Sequence, residues 1–349
     1  MDAQERWRVD CINIDTAAAG HDADGMDSTE TIAARYRAFA DQQAADSSPT
    51  FREWALYVAA SPKLLDRLSS LPSGKEQPNL VFAAARMHGA IPGDSESLHD
   101  ILDAKWPQVR GTILTRSTQT NEAARCAALL LGMQQITGPI ALLEVGAAAG
   151  LCLIPDRYSY TFNEIHRLDP VDATSDLTIP ITLRGSLAPP SRMPDIVWRA
   201  GLDLNPLDPG DVDAVAWLQA LVWPEHEPRR ERLAVAARLA ARENLDIQRG
   251  NVLDGLDHLA QKAPVHATLV ITHSATLAYL DEHERREAVQ AIAATGARRI
   301  SFEGRGVDPA VPDIQAPATV ETLFVAALDG MPYALADGHG NTLTQPPAR

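Results

Sequence analysis

The stretch Leu142-Leu-Glu-Val-Gly-Ala-Ala-Ala-Gly150 constrains the fold more than any other part of the chain. Residues 140–145 are an apolar run too short for a helix, and they read as a buried strand. The small residues that follow make a tight turn, with a helix expected after it. A strand, a small-residue turn and a helix open a βαβ unit and so call for a parallel sheet. Further strands are expected at 196–198 running into Gly201-Leu-Asp-Leu, and at 247–248, 269–272, 300–302, 322–327 and 332–336. Helical patterns at 211–221, 229–243 and 283–295 lie between several of them, which implies right-handed crossovers. Leu328-Asp-Gly-Met marks a closing antiparallel hairpin. Ile181-Thr-Leu-Arg has the pattern of a strand, and Pro189-Pro190 marks a loop.

Upstream the texture differs. Residues 1–27 are polar and read as a loosely held leader. Residues 28–137 read as an all-α subdomain, and 138–349 as a Rossmann-like domain. Ser28-Thr-Glu-Thr-Ile starts a helix that sets Ile32, Tyr36 and Phe39 on one face. Another helix is expected over 121–135, with Thr120 as N-cap and Glu122 in its first turn. The net charge of −15 argues against nucleic acid as a partner, because phosphate binding needs a basic face. Three cysteines without C-x-x-C spacing argue against a disulfide framework or a zinc ribbon, and no metal is expected. The start lacks an apolar h-region, and no run of about 18 apolar residues occurs. A cytoplasmic protein without a membrane partner is the expectation.

Four motifs bear on chemistry. The glycine-rich turn departs from the dinucleotide pattern G-x-G-x-x-G, with Gly146, Ala148 and then Leu151 at the three positions. Glu144 would also face a pyrophosphate; like charges about 4 Å apart cost about 4 kcal/mol at an effective dielectric of 20. S-adenosylmethionine (SAM) carries an ammonium and a sulfonium and no phosphate. Its usual loop, acid-x-G-x-G-x-G, is matched by Glu144, Gly146, Ala148 and Gly150, with alanine at the middle glycine. In Gly201-Leu-Asp-Leu-Asn-Pro206, Asp203 at a strand tip suits ribose hydroxyls; a helix-capping turn explains it equally well. In Gln248-Arg-Gly-Asn-Val-Leu-Asp254, Asn251 or the neighbouring Asp254 suits an adenine amino group, and an ordinary strand-to-helix loop is the alternative. In Leu269-Val-Ile-Thr-His-Ser, His273 ends a central strand and reads as a general base at an acceptor or as a structural histidine. Two polar clusters remain. Gln119 and Asn121 either contact a ligand or cap a helix. Glu225 and His226 in Trp223-Pro-Glu-His either contact the acceptor or belong to an anchored loop.

With these residues in hand, the chain resembles the bacterial family called domain of unknown function 2332. The resemblance runs from about residue 29 to 337. It rests on Arg35-Tyr-Arg-Ala-Phe-Ala40, Gln77-Pro-Asn-Leu80, Thr118-Gln-Thr-Asn-Glu-Ala-Ala-Arg-Cys126, Leu143-Glu-Val-Gly146, Gly201-Leu-Asp-Leu-Asn-Pro-Leu-Asp208, Trp223-Pro-Glu-His226 and His273-Ser274. It implies a class I SAM-dependent methyltransferase-like sheet behind a helical N-terminal addition. The sequence departs from the family pattern at Cys152, after Leu151, and at Asn251, where Asp is usual. The expectation is a SAM-dependent methyltransferase acting on a small molecule. The alternatives are a non-catalytic SAM- or nucleoside-binding regulator and an NAD-dependent oxidoreductase.

Overall fold

The computed structural model describes residues 28–316, 319 and 322–347; the expected leader lies outside them. The chain divides into two compact units. Among the described residues, one takes 28–120 together with Val212–Glu231, the other Asn121–Asp211 together with those from Arg232.

The first unit is helical. It contains α1 (Thr29–Ala38), α2 (Pro49–Ala60), α3 (Pro62–Ser69), α4 (Pro78–Met87), α5 (Ser95–Ala104), α6 (Trp106–Thr115) and α8 (Val212–Leu221). Ser28 caps α1 as expected, accepting from the Thr31 amide. α2, α3 and α4 each start on proline, whose missing N–H costs nothing there, and Ser48 and Ser61 cap the first two. Their inner faces bury one aromatic core around Tyr36, Phe39, Phe51, Trp54 and Phe82. The ring of Phe51 lies 5.1 Å from Phe82 and 5.7 Å from Trp54. Trp217 and Ala220 of α8 belong to that core, so a segment distant in sequence completes it. Arg86 donates to the carbonyls of Ala220 and Val222 and closes the end of α8.

The second unit carries the mixed α/β architecture that the alternating pattern implied. Its strands are β1 (Ile140–Val145), β2 (Ser159–Phe162), β3 (His166–Leu168), β4 (Thr178–Arg184), β5 (Ile196–Asp203), β6 (Asp246–Arg249), β7 (Thr268–Ser274), β8 (Arg298–Gly304), β9 (Phe324–Leu328), β10 (Met331–Ala336) and β11 (Thr342–Thr344). Among the described residues they form one sheet in the order β3-β2-β4-β11-β10-β9-β8-β7-β1-β5-β6. The stretch β6-β5-β1-β7-β8 is parallel throughout. β9 and β10 form the expected hairpin, and β9 also pairs antiparallel with β8.

Register assigns the faces. Glu144 lies opposite Gly201 and Thr272, and Thr272 opposite Ile300; Val145 lies opposite Leu202 and His273. Side chains alternate along a strand, so these two sets point to opposite faces. α7 (Cys126–Met133) covers the Glu144 face, with Gly132 against Ile300. α10 (Val252–Ala260) covers the other, with Gly255 against Leu202, and α11 (Glu282–Ala294) packs beside it. α9 (Glu227–Ala240) contains the boundary between the two units.

Two local expectations are corrected. No α-helix follows the glycine-rich turn: a 3-10 turn at Pro155–Arg157 leads straight into β2. The helix expected from residue 121 starts as a 3-10 turn, Ala123–Arg125, capped by Glu122 rather than Thr120, and α7 itself begins at Cys126. Among the described residues, no helix is long and apolar enough to cross a membrane.

Candidate functional site

β1 lies between β5, reached next among its neighbours, and β7, reached later on the other side. In open α/β sheets such a change of direction leaves a crevice at the carboxyl ends of the strands, where ligands bind. The turn after β1 occupies that position. Gly146 (φ 77°), Ala148 (φ 48°) and Gly150 (φ 74°) are all left-handed. Alanine pays about 1–2 kcal/mol for that conformation, so Ala148 must be held. Its amide donates to Asp203 Oδ2 at 2.8 Å, and its carbonyl accepts from Leu207 N at 3.0 Å.

The rest of the turn is tied down as completely. Gly146 N and Ala147 N donate to Leu202 O, and Gly150 N to Ala147 O. Ala149 N and Leu151 N both donate to Asn121 Oδ1 at 3.2 Å. Asn121 is buried, and it does from a distance what a helix start would have done locally. Every amide from Gly146 to Leu151 therefore has a protein acceptor. With no helix N-terminus behind them, these amides form no phosphate cradle, which argues against a dinucleotide. A methyl group added at Gly146 would overlap the Thr276 side chain.

Glu144 is the exception in this satisfied region. It is 2% exposed, and its Oε2 has no hydrogen-bond partner. Burial, reinforced by Cys152 and Asp203 and opposed by Arg125, pushes its carboxyl well above the ordinary value. Arg125 does not pair with it; its Nη1 donates to the backbone and hydroxyl oxygens of Ser274 and its Nε to Gly338 O. Thr272 Oγ1, on the neighbouring strand and the same face, is also buried without a partner. Cys152 sits against the Glu122 carbonyl, and contact with Cys126, then burial, pushes its thiol up.

At the tip of β5, Asp203 accepts from Ala148 N and, through Oδ1, from Asn205 N at 2.7 Å. Asp203 thus ties the turn after β1 to the turn that follows its own strand. Gly250 N donates to the Asp203 carbonyl, which brings the turn after β6 alongside. There Asn251 is the N-cap of α10, its side-chain oxygen accepting from Leu253 N. Asp254 is exposed in the first turn of that helix. Leu204 and Leu253 expose apolar surface just beyond Asp203 and Asn251.

His273 lies elsewhere than an acceptor-facing base would. It projects from the face opposite Glu144 and is fully buried. Its Nε2 meets Arg299 Nη1 at 3.1 Å and its Nδ1 meets Glu303 Oε1 at 2.8 Å. Arginine only donates, so Nε2 must accept, and the proton sits on Nδ1, directed at Glu303. Glu303 in turn accepts from the amides of Thr276 and Leu277, the turn that packs on Gly146. His273 thus supports the loop from behind. Sequence reasoning missed Glu303 and Thr276; the available signal was an acid ending the strand Ile300-Ser-Phe-Glu.

The structure thus brings Asn121, Glu144, Gly146, Ala148, Gly150 and Asp203 together, with Asn251 in the adjoining turn. Gln119, Glu225 and His226 belong to the first unit. There Glu225 accepts from Ser48 Oγ at 2.6 Å and Thr50 N at 2.9 Å, clamping the start of α2. The His226 ring stacks on Trp223 at 5.8 Å, and Trp223 is fixed by Asn79.

Over residues 33–344 the sequence matches a family described as uncharacterized protein conserved in bacteria (DUF2332). The chain belongs to this family. The matched range includes every element of the crevice described above. No curated protein matches the chain.

Proposed function

We propose that the crevice after β1 binds SAM and that the protein is a SAM-dependent methyltransferase with a small-molecule acceptor. The observation that carries this reading is Glu144: an acid at the end of the central strand, buried, with an oxygen no protein group satisfies. Buried polar groups are almost always paired, so an orphan in a crevice points to a missing partner. A ligand ammonium is a partner of the right charge. The order β6-β5-β1-β7-β8 matches the 3-2-1-4-5 order of doubly wound nucleotide-binding sheets. The occupied loop amides fit a cofactor without phosphate.

In this reading Glu144 receives the ammonium and Asp203 the ribose hydroxyls. Leu204 and Leu253 flank the purine beside Asn251. Asn121 orients the loop. The bound cofactor supplies a methyl group on a sulfonium, transferred by in-line displacement. The protein's own contribution is positioning and exclusion of water. His273 and Glu303 hold Thr276, and so Gly146, in place.

One observation favours a second reading, a SAM- or nucleoside-binding protein without turnover. The histidine expected as base is locked into a buried network on the opposite face of the sheet. Calorimetric titration with SAM and S-adenosylhomocysteine, with NAD as control, tests the binding. Micromolar binding of the first two supports the site, and binding of NAD alone overturns it. Consumption of SAM across an acceptor screen then separates the enzyme from the binding protein.

A further inference from the structure

We propose that Glu144 is a proton-coupled gate for cationic ligands: it is neutral in the free protein and releases one proton when a ligand ammonium takes its place beside Oε2. This rests on the reading of the crevice given above and adds to it a linkage between pH and affinity.

A carboxylate buried without a partner costs several kcal/mol, and the cheaper state is the protonated acid. Glu144 is in that position, with Oε2 out of solvent and no donor to it. The groups around it do not supply a counter-charge. From β5, Asp203 brings a like charge; from the segment after the loop, Cys152 brings a thiol that contact with Cys126, then burial, keeps protonated. Tyr158, also buried, is a phenol held neutral and donates to Leu151 O. The facing group on β7 is Thr272, which carries no charge. The one cation in this set, Arg125, is committed to Ser274 and Gly338 and lowers the Glu144 carboxyl only against a larger burial effect. An arriving ammonium changes the balance. The acid loses its proton to solvent, and the carboxylate and the ammonium pair. Charge is conserved: a neutral acid plus a cation becomes an ion pair plus a released proton.

Two consequences follow. Affinity for an ammonium-bearing ligand rises tenfold per pH unit while the free acid is protonated, and a ligand without the ammonium shows no such slope. The probes are SAM and 5′-methylthioadenosine, which shares the adenosine part but has no ammonium. Titrating the full chain at pH 6 in two buffers of different ionisation enthalpy counts protons directly. The expected result is close to one proton released with SAM, none with 5′-methylthioadenosine, and none with SAM in Glu144→Gln. Glutamine mimics the neutral acid, so this variant is expected to fold with an unchanged melting temperature at pH 6. If it does not fold, the comparison of the two ligands on the unmodified protein decides alone. SAM binding with a proton count of zero overturns the gate and leaves the site standing. No binding of SAM overturns both.

Discussion

Replacing Asn121 by alanine tests the claim that a remote side chain, and not a helix start, builds the loop after β1. Asn121 Oδ1 accepts from Ala149 N and Leu151 N, both at 3.2 Å, and all three residues are buried. Truncation leaves two buried amides without an acceptor. Each such group costs about 1–3 kcal/mol, so a loss of about 2–6 kcal/mol is expected for Asn121→Ala. In a unit of this size that lowers the melting temperature by roughly 4–24 °C, since 1 kcal/mol corresponds to about 2–4 °C. Calorimetric or circular-dichroism melting of the purified protein measures it. Asp254→Ala is the control: an exposed acid in the first turn of α10, expected to cost under about 1 kcal/mol. Equal melting temperatures for Asn121→Ala and the unmodified protein would refute the assignment of those two hydrogen bonds.

Two further substitutions probe the frame. Gly146→Ala combines a left-handed φ with overlap on Thr276 and should destabilise by about 2–4 kcal/mol or more, whereas Ala148→Gly should relieve about 1 kcal/mol of left-handed strain; denaturant midpoints report both. In the helical unit, Glu225→Ala removes the clamp on Ser48 and Thr50 and should cost about 1 kcal/mol at neutral pH, as for a lost cap. Burial alone would raise the Glu225 carboxyl, but the hydrogen bonds from Ser48 and Thr50 outweigh it and hold it below its ordinary 4.5. The clamp's contribution is therefore present above that value and fades as the pH falls through the lowered one. Melting curves of the two proteins should converge toward pH 3; a gap that widens on acidification would contradict the sign.

Much of the second unit is legible because its strands are apolar and its helices periodic. β1 has no polar residue before Glu144, and Asp329-Gly330 offers a turn that a hairpin needs. Residues 158–194 were only partly legible: Ile181-Thr-Leu-Arg falls within β4 as expected, whereas β2 and β3, four and three residues long, are too short to stand out. β2 pairs with its near neighbours β3 and β4, and only β4 finds a remote partner, β11; nothing local to Gly150 signals that the chain will run there. Nor could linear order show that Val212–Leu221 belongs to the helical unit, since Trp217 and Ala220 read only as apolar until the aromatic core is seen around them. At the site, residue types were informative and roles were not. Asn121 and Asn251 look like ligand contacts in sequence and turn out to hold backbone amides. His273 follows Thr272 by one residue, and in a strand that single step moves a side chain to the other face. Glu144 was legible because an acid ending an apolar strand is rare enough to ask for a reason.

The measurement closest to the central claim is the affinity of S-adenosylhomocysteine for the unmodified protein and for Asp203→Ala, with folding checked by circular dichroism. Hydrogen bonds to a charged group are worth about 1–3 kcal/mol, so binding in the micromolar range should weaken by roughly 5- to 150-fold. Equal affinity in a folded Asp203→Ala protein, or no binding to either, would contradict the placement of the nucleoside at the tip of β5.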